Sequence, residues 1–270
     1  MSDTLPGSDE SLDRLAGEWR IFQLVRGHRF STDDMVCAWR AALSCPGAHR
    51  VLDLGCGIGS VGLLTLWRLG NDAVQLTGIE AQETSANLAA RTVRLNGLAG
   101  RVAIHLGDLR ESSALLGDAQ FDLITGSPPY LPVGTGRLSP VDQRAGARIE
   151  LRGSVFDYCA AAARHLAPGG RFAFVMAAAD PRTEQAPLAA GLEVVERWDY
   201  RFRADRAPHI ATLVCARAGE GTGRVTGELV IRGPDGEWTQ PYLGLRAEMG
   251  GPPLRGAGEG SAQSTGSSGT

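Results

Sequence analysis

Glycines and a carboxylate recur at a regular spacing early in the chain. The segment Val51–Ser60 reads VLDLGCGIGS, with Asp53 two positions before Gly55, and with Gly57 and Gly59 at the next alternate positions. Glycines at a turn between a strand and a helix let the backbone bend sharply and approach a ligand closely. The dinucleotide-binding turn has the spacing G-x-G-x-x-G, so the third glycine is misplaced for NAD. The pattern predicts a ligand-binding turn, with NAD binding or a purely structural tight turn as the alternatives.

Two further carboxylates end the predicted strands beyond this turn. Glu80 closes the segment Gln75–Glu80, about twenty residues after the last glycine, and Asp108 closes the next strand. Together with Asp53 they resemble the S-adenosylmethionine (SAM) site of class I methyltransferases. SAM carries a sulfonium and an ammonium, so a carboxylate attracts it where the same group would repel a pyrophosphate. The resemblance implies that Asp53 faces the cation, Glu80 binds the ribose hydroxyls and Asp108 meets the adenine amine.

A rigid turn follows the predicted strand Phe121–Thr125. Residues 126–130 read GSPPY, and the two prolines restrict the backbone. The motif resembles the Asn/Asp/Ser-Pro-Pro-Tyr signature of methyltransferases that modify planar amino or amide nitrogens. The resemblance implies that the Ser127 side chain and the Pro128 carbonyl accept hydrogen bonds from the amine, while Tyr130 stacks on the flat acceptor. The catalytic residues expected on this basis are Ser127, Pro128, Pro129 and Tyr130; a plain proline loop is the alternative.

A further motif precedes the glycine-rich turn. Residues 22–34 read FQLVRGHRFSTDD and residues 147–150 read ARIE. Both resemble motifs of the bacterial valine-tRNA adenine-N6 methyltransferase family, in which a Thr-Asp pair meets SAM. Thr32 and Asp33 match that pair. Ser127 and Ile149 depart from the pattern, which has Asn or Asp at the first position and His at the second, so the acceptor base stays open.

The resemblance assigns a set of cofactor-binding residues, and the position of two arginines after the acceptor motif adds to the substrate-binding set. The cofactor set contains Thr32, Asp33, Asp53, Gly55, Cys56, Gly57, Gly59, Glu80, Ala81, Asp108, Leu109 and Ser127. The substrate set contains Tyr130, Arg144 and Arg148, because arginines that follow the acceptor motif could pair with phosphates. Ordinary solvated arginines are the alternative interpretation.

Short apolar segments alternate with longer helical ones between His49 and Ala216, which predicts repeated β-α units. The predicted strands are Arg50–Leu54, Val74–Glu80, Val102–Gly107, Phe121–Thr125, Arg171–Met176, Glu193–Phe202 and Ile210–Arg217. The predicted helices are Ser60–Leu69, Gln82–Leu95, Ser112–Leu116, Ile149–Leu166 and Thr183–Ala190, with a turn at Ala167–Gly170. We expect an α/β fold with a doubly wound, Rossmann-like, seven-stranded and mostly parallel sheet, and a C-terminal β-hairpin from Glu228–Arg232 and Glu237–Tyr242.

The same pattern divides the chain into five expected segments. These are a flexible N-terminus (1–18), a cofactor-capping segment (19–48), a SAM-dependent methyltransferase domain (49–217), a hairpin extension (218–248) and a disordered Gly/Ser-rich tail (249–270).

Composition limits the functions that remain. A net charge of −3 over 270 residues gives no general attraction to nucleic acid, so an RNA partner needs a local basic patch. The five cysteines and five histidines lack metal-ligand spacing, and no apolar run is long enough to span a membrane. We expect a cytoplasmic monomer without a metal that methylates an exocyclic amine of a nucleic-acid base, with adenine in tRNA first. The alternatives are methylation of a protein glutamine amide or a small-molecule amine, and a catalytically idle SAM-binding module.

Overall fold

The computed structural model describes residues 4–130, 153–221 and 223–251. Its strands are β1 (Glu10–Ala16), β2 (Trp19–Leu24), β3 (Arg50–Leu54), β4 (Gln75–Glu80), β5 (Val102–Leu106), β6 (Phe121–Gly126), β7 (Leu166–Ala177), β8 (Leu192–Arg201), β9 (Ile210–Arg217) and β10 (Val225–Val230). Its helices are α1 (Thr32–Ser44), α2 (Ser60–Leu69), α3 (Glu83–Leu95), α4 (Ser112–Leu116), α5 (Val155–His165), α6 (Arg182–Ala189) and α7 (Gln240–Glu248).

Eight of these strands form the main sheet, in the order β10-β8-β9-β7-β6-β3-β4-β5. Neighbouring strands run parallel except at β9, which is antiparallel to both β7 and β8. The predicted α/β fold with a mostly parallel sheet is confirmed. The sheet has eight strands rather than seven, because β10 adds a further parallel strand beside β8.

Apolar side chains cover both faces of the sheet. Alternate residues of β7 point to opposite sides, as the pleat of a strand requires. Ala173 and Val175 belong to the cluster beneath α1, α2 and α3, and Phe172 and Phe174 belong to the cluster beneath α5 and α6. The helices thus bury the sheet on both sides and leave the carboxyl ends of the parallel strands to carry ligand-binding turns.

The prediction of a flexible N-terminus is wrong for Glu10–Ala16. This segment pairs with β2 in an antiparallel hairpin. The hairpin packs on α3, where the Phe22 amide donates to Thr92 Oγ1 at 3.1 Å and the Arg20 amide donates to Asn96 Oδ1 at 2.9 Å. These partners lie more than 60 residues away in sequence, so the local pattern did not reveal them.

The predicted C-terminal hairpin is also wrong. Only one antiparallel bridge, Arg232 with Trp238, links its two expected arms. The first arm is replaced by β10, and the second begins α7. Thr239 caps that helix by accepting from the Tyr242 amide, and Pro241 suits the first helical turn because it has no amide hydrogen to leave unpaired.

Another correction concerns the end of α5. The predicted turn Ala167–Gly170 lies within β7, which begins at Leu166 directly after the helix. Residues 149–152 of the predicted helix Ile149–Leu166 fall outside the described residues. The predicted strand Arg171–Met176 also starts too late, because β7 begins at Leu166. The remaining predicted strands and helices between residues 50 and 217 agree with the structure to within about two residues at each end, which is the usual uncertainty of such boundaries.

The last helix contacts the first. The Thr32 and Tyr242 hydroxyls lie 3.3 Å apart, and Trp39 Nε1 donates to Glu248 at 3.0 Å. These two contacts tie α7 to α1. No helix in residues 4–130, 153–221 and 223–251 has both the length and the apolar character needed to cross a membrane.

Candidate active site

The glycine-rich turn between β3 and α2 is organised around the Asp53 carboxylate. Asp53 is 1% exposed, and it accepts hydrogen bonds from the Thr125 hydroxyl at 2.7 Å and from the Gly62 amide at 2.9 Å. Thr125 lies on the neighbouring strand β6, so the bond joins the cofactor turn to the strand that carries the acceptor motif. Burial raises the pKa of Asp53 from 3.8 to about 6, and the charge of Glu80 adds to the rise.

Three glycines of this turn have left-handed backbone angles. The φ values are 59° at Gly55, 57° at Gly57 and 89° at Gly59. Only glycine adopts this region without strain, which explains the alternation seen in the sequence. At Gly57 a Cβ atom would meet nothing within 4 Å, so the backbone there is open to a ligand.

Glu80 at the end of β4 is fixed by backbone amides. Its Oε2 accepts from Gly57 at 2.9 Å and its Oε1 accepts from Gln82 at 2.6 Å. The side chain is 6% exposed. Two charge-assisted bonds orient the carboxylate beside the glycine turn.

The N-terminus of α1 brings two more carboxylates to the same place. Ser31 caps the helix, and its amide donates to Asp34 Oδ2 at 2.8 Å in a capping box. Asp34 is 3% exposed, and burial together with the charges of Asp33 and Asp53 raises its pKa from 3.8 to about 7. No ion pair to Asp34 or Asp53 occurs in the part of the chain that the structure describes.

The acceptor turn after β6 is anchored from two sides. The Tyr130 hydroxyl donates to Asp33 Oδ2 at 2.7 Å, so the tyrosine is tied to the N-terminus of α1. An Arg182 guanidinium nitrogen donates to the Tyr130 carbonyl at 3.3 Å, and Asp180 holds that guanidinium with a 2.6 Å bond. The Ser127 hydroxyl has no hydrogen-bond partner among the described residues, which leaves it available to a ligand.

Both turns open into one cavity of about 640 Å³. This size is typical of a small-molecule or cofactor site. The predicted site residues that line it are Asp33, Asp53, Gly55, Cys56, Gly57, Glu80, Ala81, Leu109, Ser127, Pro128, Pro129 and Tyr130. The structure therefore brings the glycine-rich turn, here called the donor turn, and the acceptor turn together. Their separation in sequence alone does not guarantee this.

Three predicted cofactor residues lie elsewhere. Thr32 faces Tyr242 instead of the cavity, so its geometry does not support the predicted contact. Asp108 does not line the cavity, and it caps a short 3-10 turn while pairing with Arg110 at 2.5 Å. Gly59 shapes the start of α2 without reaching the lining. Arg144 and Arg148 lie outside the described residues.

The chain is similar to proteins of one known family. A family model described as the methyltransferase small domain matches residues 40–197, which is more than half of the chain. The chain belongs to this methyltransferase family. Its cofactor is SAM, as predicted from the glycine-rich turn.

Curated relatives of this methyltransferase carry one recurrent name. A tRNA1(Val) (adenine(37)-N6)-methyltransferase of Escherichia coli O157:H7 is 29% identical over 202 residues, which cover 74% of this chain and 79% of the relative. The enzyme of that name from Citrobacter koseri is 29% identical over 201 residues, with the same shares covered. The resemblance proposed from the motifs is confirmed by this similarity.

Solved methyltransferases share the fold at low sequence identity. A predicted O-methyltransferase from Agrobacterium tumefaciens is 18% identical, with a TM-score of 0.58 over 82% of this chain and 98% of that chain. A putative class I SAM-dependent methyltransferase from Listeria monocytogenes is 14% identical, with a TM-score of 0.53 over 83% of this chain and 73% of that chain. At these identities the likeness supports the architecture alone.

The acidic side chains of the methyltransferase cavity fit SAM. Four acidic side chains, Asp33, Asp34, Asp53 and Glu80, line it, which suits a ligand with two cationic groups. The open backbone at Gly57 allows close approach of a flat or extended ligand. The residues that could hold SAM are these carboxylates together with the glycine turn.

Several residues of the cavity were not predicted from the sequence. Asp34 adjoins the predicted Asp33, so the paired acids were a signal that could have been used. Tyr158 on α5 and His209 before β9 reach the cavity only through the tertiary fold. The loop Val25–Arg29 also lines it, although the sequence motif had pointed only to Thr32 and Asp33 in this region. The described residues include no group of three His, Cys, Asp or Glu side chains that could hold a metal ion.

Proposed function

We propose that this methyltransferase transfers a methyl group to an exocyclic amine of a nucleic-acid base, with adenine in tRNA as the substrate. The observation that carries the proposal is the meeting of the two turns in one cavity. The Thr125–Asp53 hydrogen bond joins the strands that carry them, and the Tyr130–Asp33 hydrogen bond ties the acceptor turn to α1. The names of the curated relatives support the base and the RNA class.

The acceptor turn supplies what an aromatic amine needs. The lone pair of such an amine is delocalised into its ring, so groups that accept its two hydrogens favour the geometry in which the nitrogen attacks. We assign these acceptor roles to the Ser127 hydroxyl and the Pro128 carbonyl. The anchoring of Tyr130 by Asp33 and Arg182 fixes the turn before substrate arrives, which lowers the cost of alignment.

The donor side is assigned to the acidic lining. SAM supplies an electrophilic methyl group when bound. Asp33, Asp34 and Asp53 offer negative charge to its cationic groups, and Glu80 offers carboxylate oxygens to its hydroxyls. We assign the catalytic domain to residues 49–217, with 19–48 as the segment that closes the cofactor side.

The rim of the cavity differs in charge from its interior. We call the exposed lining residues Arg26, Arg29 and His209, together with the half-buried His28, the rim. Arg26 forms no ion pair within the described residues. Arg29 is paired with Asp13 at 2.8 Å. A basic rim around an acidic interior suits a polyanionic substrate that inserts one base, because phosphates meet the arginines while the cationic cofactor lies inside. A tRNA substrate would place the reaction in the cytoplasm.

The test is a transfer assay with tritiated SAM and separate pools of total tRNA, protein extract and small metabolites. We expect label in tRNA, recovered as N6-methyladenosine by mass spectrometry of nucleosides. Ser127→Ala is expected to lower kcat about tenfold or more, because one hydrogen bond to the reacting amine is lost. The exposed Ser113→Ala, on α4, is the matched control and is expected to leave kcat unchanged.

Label confined to protein or to metabolites would contradict the nucleic-acid substrate while leaving the methyltransferase class intact. SAM binding without transfer to any pool, followed by transfer once Ser127→Asn is made, would contradict activity of the natural chain.

A further inference from the structure

Tyr158 lies between the donor turn and the acceptor turn. It belongs to the first turn of α5 and is 6% exposed. A Cβ atom added at Gly126 would lie 2.9 Å from the Tyr158 ring, and one added at Gly55 would overlap the Tyr158 hydroxyl. Both glycines are thus needed to admit the tyrosine side chain. The ring fills the space where β3 and β6 deliver the two turns of the site.

The Tyr158 hydroxyl faces the cavity without a hydrogen-bond partner among residues 4–130, 153–221 and 223–251. No described residue forms a hydrogen bond with it. The described residues include polar side-chain atoms that are fully buried without a hydrogen-bond partner, and the Tyr158 oxygen is not one of them. The residue lines the cavity together with Gly55 and Glu80. Buried polar groups usually have a partner, so a hydroxyl that is presented to a ligand cavity without one points to the ligand as its partner.

The charge state of this group is fixed by its surroundings. Burial raises the pKa of Tyr158 well above its ordinary value of 10, and the charges of Glu80 and Asp53 add to the rise. The side chain is therefore a neutral hydroxyl at physiological pH. Its oxygen can accept a hydrogen bond, and its O–H group can donate a hydrogen bond to a carboxylate.

We propose that the Tyr158 hydroxyl oxygen contacts the methyl-bearing sulfonium end of SAM and thereby favours the charged methyl donor over the neutral product. The position between the two turns supports this end of the cofactor, because the methyl group has to pass from one turn to the other. Carbon-bound hydrogens beside a sulfonium carry partial positive charge, so a neutral oxygen attracts them through weak C–H···O contacts. S-adenosylhomocysteine lacks that charge and gains little from the same oxygen.

The inference rests on SAM binding at this cavity and does not depend on the proposed acceptor. Its test can therefore be made with no acceptor present. If the Tyr158 test fails while tRNA is still methylated, only the role of Tyr158 is refuted. If the Tyr158 test succeeds while tRNA is not methylated, only the proposed substrate is refuted.

The experiment measures the Kd of SAM and of S-adenosylhomocysteine by calorimetry for the full chain and for Tyr158→Phe. The substitution removes one oxygen and keeps the ring that fills the space between the turns. We expect the Kd of SAM to rise about two- to fivefold and that of the product to stay within error. Tyr200→Phe is the matched control, since Tyr200 is also buried but bonds to Thr212 away from the cavity.

A spectroscopic measurement accompanies the affinities. The protons of a carbon-13 methyl group on bound SAM are expected to resonate further downfield with the natural chain than with Tyr158→Phe. An unchanged Kd for SAM and an unchanged methyl resonance would overturn the proposal. An equal loss of affinity for SAM and product would also overturn it, because the contact would then lie away from the sulfonium.

Discussion

Replacing Asp53 with asparagine is expected to stabilise the protein while weakening SAM binding. The side chain is buried, and its hydrogen-bond partners among the described residues are the Thr125 hydroxyl and the Gly62 amide. Asparagine keeps the shape, its oxygen can accept from Gly62, and its amide can donate to the threonine hydroxyl. The substitution therefore removes the charge and leaves both neighbours with partners.

The magnitude follows from the pKa of Asp53 in the folded chain. A rise from 3.8 to about 6 means that ionisation costs the folded state about 3 kcal/mol relative to the unfolded chain. The natural chain has the full benefit of protonation only below pH 3.8, and loses it as the pH rises through about 6. The variant has no such dependence. Its stability relative to the natural chain is expected to increase by about 1.4 kcal/mol between pH 5 and pH 8.

The assay is urea unfolding without SAM at several pH values, paired with calorimetry of SAM binding at pH 8. Asp34 titrates in both proteins, but the Asp53 charge helps to raise its pKa, so removing that charge enlarges the expected difference in the same direction. We expect SAM affinity to fall about 10- to 100-fold because a buried charge opposite the cation is lost. Parallel stability curves over this pH range, or an unchanged affinity for SAM, would refute the reasoning.

Two further predictions use matched pairs of variants. Gly55→Ala and Gly57→Ala both place a side chain at positive φ, at a cost of about 1–2 kcal/mol, but only the Gly55→Ala side chain collides with Tyr158. Thermal unfolding is expected to show the larger loss of stability for Gly55→Ala. Equal losses of stability would contradict the geometry. Arg26→Ala is expected to weaken tRNA binding about threefold or more and to lower its salt dependence, as measured by filter binding, whereas Arg20→Ala, exposed on β2 away from the cavity, is expected to leave both unchanged. Equal effects of the two arginine substitutions would argue against the basic rim as the RNA-binding surface.

The cofactor turn was predictable because its causes are local. The glycines at 55 and 57 have positive φ, and a strand followed at once by a helix requires such residues whatever the rest of the chain does. Glu80 was predictable for a related reason. Carboxyl ends of parallel strands meet at one edge, so its place at the end of β4 brought it to the turn between β3 and α2.

The errors arose where distant partners decide the structure. The strand β1 depends on β2 and α3, and β10 depends on β8, so neither could be recognised from its own residues. A turn signal such as Gly233–Gly236 marks a reversal but does not say which segments will pair. Thr239 and the proline two residues later are typical of a helix start at that point, whereas the turn residues between the two arms favoured a hairpin.

Site residues divide along the same line. Asp33 was identified from a motif, whereas its bond to Tyr130 joins residues 97 positions apart. Tyr158 follows no motif and enters the cavity because Gly55 and Gly126 leave room for it. Its role could be inferred only after the strands had been placed side by side.

The contact between α7 and α1 has a consequence for biosynthesis. Thr32 and Trp39 belong to α1, the helix that carries acidic residues to the cavity. Their side chains contact Tyr242 and Glu248 of α7. A growing polypeptide leaves the ribosome N-terminus first. The contacts that hold α1 cannot be completed until residues 240–248 have emerged, so a translation product halted before that helix would lack this support for its SAM pocket.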